Sequence, residues 1–209
     1  RILITDQTRS SEVIEKISRA LKQITEESDF SSVHILLADK DEIKDFSQED
    51  FSLRTSYSFH WFNNNYLSFE NFLQDMTSRQ RKNIKKERKK IHDQGVTVSR
   101  ISGSEITLEM LETFYQFYQV TYLKRGMRGY LNFEFFKKIV DSIPEAIMLV
   151  LAENNSGEYV AGALNFFDDE KLYGRYWGCL KEYDSLHFET CYYQGIEFCI
   201  EEKLRSFDP

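Results

Sequence analysis

Proline is nearly absent from this chain, with two residues in 209, and no internal repeat or low-complexity segment is found, so a Pro-rich or repetitive architecture is excluded. Cysteine is scarce as well: Cys179, Cys191 and Cys199 cannot all pair with one another, and their neighbours are apolar or aromatic. They read as reduced, mostly buried thiols of a cytoplasmic protein, not as a disulfide framework. No apolar run approaches the roughly 20 residues of a membrane span, and no cleavable signal pattern is seen. The chain opens Arg1-Ile2-Leu3 and is expected to be a piece of a longer protein. Basic residues are in the minority, 27 against 34 acidic ones for a net charge of −7, which argues against a general nucleic-acid-coating protein. What is present in quantity is apolar surface. Hydrophobic residues at 41% and aromatics at 15% exclude disorder and supply a sizeable core.

Apolar positions at Val13, Ile14, Ile17, Leu21 and Ile24 predict a helix over 11–24. Segments 33–38 and 54–61 read as strands, separated by an acidic short helix or loop over 39–50. A long helix is expected from Phe69 to about Asp93, capped by Ser68 and stopped at Gly95. A strand over 96–101 follows, then helices capped by Thr107 and Asn132. Three strands over 147–153, 159–167 and 172–178, joined by two turns, form a meander. A closing helix over about 186–204, with Ser185 as its cap, places Phe188, Cys191, Tyr192, Gly195 and Cys199 on one face. The class is α+β.

Charge is distributed unevenly. Residues 79–90 hold eight basic residues and one acidic residue, +7 in twelve positions against −14 for the remainder. Arg81, Lys85 and Arg88 share a helix face at spacings of four and three, where a polyphosphate or nucleic-acid backbone can be gripped. Two readings stand side by side: a solvated helix whose lysines balance the acidic remainder, or a contact for an anionic partner.

In the meander, Arg175 and Trp177 fall on one strand face and Tyr176 on the other. Arg175 and Trp177 suit an anionic or planar substrate; a half-buried strand explains the aromatics equally. His187 and Cys191 stand one helical turn apart, but no third ligand sits at a convincing spacing, so no metal is expected. Cys191 lies on the apolar face and reads as core. Glu189 and Tyr193 share the opposite side. Glu189, in the first helical turn, is either a general base for an amine or an electrostatic element of the helix end.

The ordered set Phe59-His-Trp-Phe-Asn63, Ser78-Arg-Gln-Arg-Lys-Asn-Ile84, Ala161-Gly-Ala-Leu-Asn165, Leu172-Tyr-Gly-Arg-Tyr-Trp-Gly178 and Leu186-His-Phe-Glu-Thr-Cys-Tyr-Tyr-Gln194 resembles the Fem-like, peptidoglycan-bridge-type family of bacterial N-acyltransferases in the GNAT superfamily. The resemblance spans nearly the whole chain. It implies a GNAT-like mixed sheet with flanking helices, part of a tandem-GNAT architecture: residues 1–60 end a first half and 61–209 form the second. It further implies transfer of an acyl or aminoacyl group to an amine, with aminoacyl-tRNA or an acyl-thioester as donor and no tightly bound cofactor. Glu189 would be the base, with His187 or Tyr193 as proton donors. Arg175, Trp177, His60 and Trp61 would contact substrate, and Arg79, Arg81, Lys82, Lys85 and Arg88 would hold an anionic partner such as tRNA. The competing reading is a non-catalytic module binding RNA or another polyanion through 79–90. The sequence also departs from acetyl-CoA-using GNATs: Leu180–Phe188 contains no glycine and carries Glu182 and Asp184, with Glu189 next to it. A pyrophosphate would be crowded and repelled there.

Overall fold

The structure is a computed structural model that describes residues 2–4 and 10–209. Contacts divide it into two compact units, Arg1–Ser58 and Phe59–Pro209.

In the first unit, helix α1 (Ser10–Glu27) buries Ile14 and Ser18. Helix α2 (Lys40–Gln48) begins at Asp39, whose side chain accepts from the backbone N–H of Asp41 and Glu42. Glu42 reaches back to the Asp39 N–H at 2.8 Å and completes a capping box. The acidic stretch is thus a helix. The strand expected over 33–38 does not form, because Leu37 sits at φ 59, a left-handed conformation that breaks the pleat. Of the strand expected over 54–61, only Trp61 enters a ladder, and it does so in the second unit.

The second unit is a six-stranded sheet in the order β1-β6-β5-β4-β3-β2. Its strands are β1 (Trp61–Phe62), β2 (Val96–Ser102), β3 (Ile147–Asn154), β4 (Tyr159–Phe167), β5 (Lys171–Cys179) and β6 (Ser206–Asp208). All neighbours are antiparallel except β5 and β6. Helices cover both faces, so the alternating side chains of β3 enter two cores. Met148 and Val150 pack with Phe69, Phe72, Leu73, Ile196 and Cys199. Ile147, Leu149 and Leu151 pack with Phe114, Phe117, Tyr118 and Phe136. The latter come from α5 (Leu108–Leu123) and α6 (Phe133–Ser142), which start where Thr107 and Asn132 cap them.

Two helical expectations are corrected. Residues 69–93 form two helices, α3 (Phe69–Gln74) and α4 (Ser78–Asp93), because Thr77 and Gln80 close a capping box that starts a new helix. The closing helix is composite: α7 (Leu186–Phe188), a π-helical turn (Glu189–Tyr193) and α8 (Gln194–Glu201). Ser185 makes no side-chain cap and stands at φ 67. The wider π turn rotates the face: Phe188, expected inside, is exposed, while Glu189, expected outside, is buried.

Candidate functional site

Strand β5 pairs with β4 from Leu172 to Cys179, with one interruption, but with β6 only through Lys171, Leu172 and Tyr173. Gly174 lies against the backbone of Pro209, where a Cβ would stand 3.1 Å from the proline carbonyl carbon. Proline has no N–H to donate to a ladder. On the β4 side, Leu164 pairs with Tyr176 and Asn165 with Gly174, so Arg175 is the extra residue of a bulge. A cleft of about 180 Å³ opens here, with Arg175, Tyr176, Trp177, His187, Cys191 and Tyr192 among its lining. Bulges re-aim side chains, and this one brings four consecutive residues of β5, Gly174 to Trp177, to one opening.

The His187 ring meets Trp177 edge-on at 5.2 Å and Tyr192 at 5.6 Å. Burial lowers its pKa from the ordinary 6.5, so the imidazole is neutral at pH 7. The Cys191 thiol is pushed up to about 12, first by burial, and is no nucleophile at neutral pH. Among the described residues, no group of three or more His, Cys, Asp or Glu is placed to hold a metal.

Glu189 does not line the cleft. Its carboxylate accepts from Arg88 Nε at 3.2 and 3.1 Å, from Arg88 Nη2 at 3.0 Å and from Gln194 Nε2 at 2.7 Å. Arg88 also donates to Glu197 at 2.8 Å and lies 4.7 Å from the centroid of the Phe69 ring. Tyr193 donates its hydroxyl to Glu87 on α4, and its pKa is raised, first by burial and then by that bond. The residues expected to act as base and proton donor therefore clamp α4 to the closing helix. Of the three expected catalytic residues, the cleft receives His187.

The basic helix carries much of its own compensation. Lys85 pairs with Glu70 at 2.6 Å, Lys89 with Asp93 at 4.0 Å, Lys90 with Asp184, and Arg88 with Glu189 and Glu197. Gln94 exchanges two 3.0 Å hydrogen bonds with the backbone of Asp184 and fastens the glycine-free loop to α4. Of the expected face of Arg81, Lys85 and Arg88, Arg88 is turned inward onto Glu189, Arg81 donates to the Leu73 carbonyl at 3.4 Å, and Lys85 stays exposed but is answered by Glu70. The exposed cations that no acid answers lie along another line. Arg79, Lys82 and Lys86, spaced three and four apart, have no acid within ion-pair distance among the described residues.

His60 and Trp61 lie outside the cleft lining. His60 Nδ1 is 3.5 Å from Asp208 Oδ1, and Trp61 packs on Tyr66 and Phe72 with its indole N–H buried and unbonded. Beside them, Asn63 donates to the Leu204 carbonyl at 3.1 Å and accepts from Tyr66 N–H at 3.0 Å, tying the end of β1 to the segment that leads into β6. Sequence reasoning missed Tyr192 and Asn165. The second was legible as a lone amide in a buried apolar strand; it is 2% exposed and donates to the Met148 carbonyl at 3.4 Å.

Among solved structures, FemX superposes with a TM-score of 0.54 at 15% identity, over 95% of this chain and 68% of that one. A conserved protein of unknown function from Bacteroides thetaiotaomicron gives 0.50 at 10%, over 92% and 66%. L-PGS from Bacillus licheniformis gives 0.48 at 12%, over 72% and 45%, so this chain spans under half of that protein. The likeness to FemX fits a GNAT-type α+β fold. No curated protein matches the sequence. The family model for FemAB-like proteins, described as peptidoglycan biosynthesis and recognition, matches residues 1–209, and the chain belongs to that family.

Proposed function

We propose that this chain carries the transfer site of an acyl- or aminoacyltransferase, and that the cleft beside β5 is where an amine attacks an activated carboxyl. The observation that carries the reading is a neutral imidazole, His187, at a strand-divergence cleft in a member of the FemAB-like family. The amine nitrogen forms a bond to the carbonyl carbon, and the ester or thioester bond to the leaving group breaks. The proton released from nitrogen passes to His187 and then to the departing oxygen or sulfur. Holding the two reactants in line supplies much of the acceleration. Trp177 and Tyr192 pack edge-on against the imidazole and orient it while His187 stays open to solvent, and Arg175 meets substrate. Glu189 and Tyr193 are positioning residues, which fix the helix that carries His187.

The donor binds as a co-substrate. A free thioester of coenzyme A finds no glycine cradle at Leu180–Phe188, whose side chains crowd a pyrophosphate, and the loop's Glu182 and Asp184 are engaged by Lys124 and Lys90. A ribonucleic acid donor finds the free stripe of Arg79, Lys82 and Lys86. The stripe equally favours a second reading, a module that binds a polyanion and transfers nothing.

Turnover separates the two. The protein is incubated with a panel of aminoacyl-tRNA and acyl-thioester donors and amine acceptors, and His187→Gln is run beside it. The expected result is transfer with at least one donor, slowed about 10²–10³-fold in His187→Gln with KM little changed. Absence of transfer from every donor, with tRNA binding intact, selects the binding module.

A further inference from the structure

At the outer end of the cleft, three polar groups converge that neither the strand pattern nor the family motifs single out together. The Tyr130 hydroxyl lies 3.4 Å from that of Tyr176, and the Arg175 guanidinium stands 5.4 Å from the centroid of the Tyr176 ring. Arg175 and Tyr176 line the cleft. Arg175 is the bulged residue, is exposed, and has no acid partner among the described residues. Tyr130, 66% exposed, comes from the α5–α6 connection, Lys124 to Asn132, which also exposes Arg125 and Arg128.

This connection is held in place. The Leu131 N–H donates to the Tyr118 hydroxyl at 3.1 Å, and the Met127 N–H to the Tyr122 carbonyl at 3.0 Å. Gly129 lies so close to Tyr118 that a Cβ would stand 2.5 Å from the ring. The Tyr176 ring is fixed edge-on against Tyr118 and Phe136, at 5.3 and 5.8 Å. One phenolic proton is spent between the two hydroxyls, so one hydroxyl donor and the guanidinium face solvent from this seat, with no carboxylate to answer them among the described residues. Cation and donors so arranged suit an oxyanion, which accepts charge-assisted hydrogen bonds. The Tyr130 phenol has its pKa lowered, first by the bond with Tyr176 and then by that with Tyr122, and the charge of Arg175 adds a smaller contribution.

We infer that Arg175, Tyr130 and Tyr176 form a recognition site for an oxyanion, a carboxylate or a phosphate, borne by the amine acceptor. The inference rests on the cleft being the transfer site, and it assigns the acceptor a charge. An acceptor anchored here by its anionic group presents its amine toward His187, which lines the same cleft. The α5–α6 connection then sets specificity, because it supplies Tyr130.

The test is a titration of the chain with inorganic phosphate and, separately, with glycylglycine at constant ionic strength, read on the tyrosine ring resonances. Saturable shifts of Tyr130 and Tyr176 are expected with at least one probe. Saturation by phosphate alone makes the anion a phosphate, and saturation by the dipeptide alone makes it a carboxylate. Arg175→Gln should weaken the saturating probe at least about tenfold, and Tyr130→Phe about three- to fivefold. Lys44→Gln on α2 of the first unit, which plays no part in either site, should leave it unchanged. The inference falls if neither probe saturates, or if Arg175→Gln binds as tightly as the parent. Thermal melts of each variant establish that it is folded. No turnover is read, so loss of this site leaves the transferase reading intact, and a saturable site in a protein that transfers nothing leaves the site intact.

Discussion

Glu189 shows how far a side chain's role depends on the backbone that carries it. In a regular helix it would have faced away from Cys191 and met water; the π turn swings it inward onto Arg88 and Gln194. At 4% exposure its charge is tolerable only because the guanidinium and an amide answer it. Replacing Glu189 with Gln leaves Arg88 half-answered and should cost about 3 kcal/mol, the lower end for a broken buried pair because Arg88 retains Glu197. Both tryptophans, Trp61 and Trp177, belong to the second unit, so urea unfolding followed by their fluorescence reports that unit directly. An unchanged midpoint would refute the clamp. His187 makes a different prediction. Its folded pKa is lowered below the unfolded 6.5, so between those values the unfolded chain binds the extra proton. Stability therefore falls as pH drops from 6.5 through the lowered value, and His187→Gln should flatten that part of the profile. Transfer, which needs the neutral imidazole, should reach its plateau below pH 6.5 and lose its acid limb in the same variant.

At the scale of elements, the legible parts are those in which periodicity and a cap agree. Thr107 and Asn132 mark α5 and α6, and alternating apolar runs with Asn-Asn-Ser-Gly and Asp-Asp-Glu-Lys turns mark the meander of β3, β4 and β5. The apolar spacing of Phe69, Phe72, Leu73 and Met76 continues in phase to Ile84, which hides the break between α3 and α4. The signal that reveals it is local: Thr77 followed three residues later by Gln80, a capping box inside an apparent helix. Thr77→Ala should cost about 1 kcal/mol in the same unfolding measurement, and Thr77→Ser little. The bulge at Arg175 and the π turn had no such signal, since each is one extra residue in a backbone ladder and leaves composition unchanged. The cleft depends on both, which is why His187 and Arg175 were legible as candidates while their convergence with Tyr192 and Tyr130 was not. Gly178 records the packing that holds β5 there. A Cβ would stand 2.1 Å from the Phe117 carbonyl oxygen on α5, and Thr121 bonds the Trp177 carbonyl beside it at 3.0 Å. Gly178→Ala should therefore push α5 off the sheet and destabilise the unit by about 3 kcal/mol.

For the whole molecule, the net charge of −7 conceals a division of labour within one helix. Half of the basic residues in 79–90 neutralise acids of the molecule itself, from Glu70 to Glu197, and this offsets the repulsion that eight positive charges would otherwise impose. The other half, Arg79, Arg81, Lys82 and Lys86, have no such acid among the described residues, and three of them form the exposed stripe. Mean charge thus predicts no polyanion, while the residual charge after internal pairing points to one along a single line about seven residues long. Counterion release makes this measurable. Each phosphate neutralised contributes roughly 0.7–0.9 to the slope of log K against log salt. Replacing Arg79, Lys82 and Lys86 together with Gln should lower the slope for bulk tRNA by about 2–3, read by fluorescence anisotropy across a salt series. Lys85→Gln, which removes a cation already answered by Glu70, should change it by well under one. Equal slopes for the triple variant and the parent would return the helix to a self-balanced surface and move the anionic partner elsewhere.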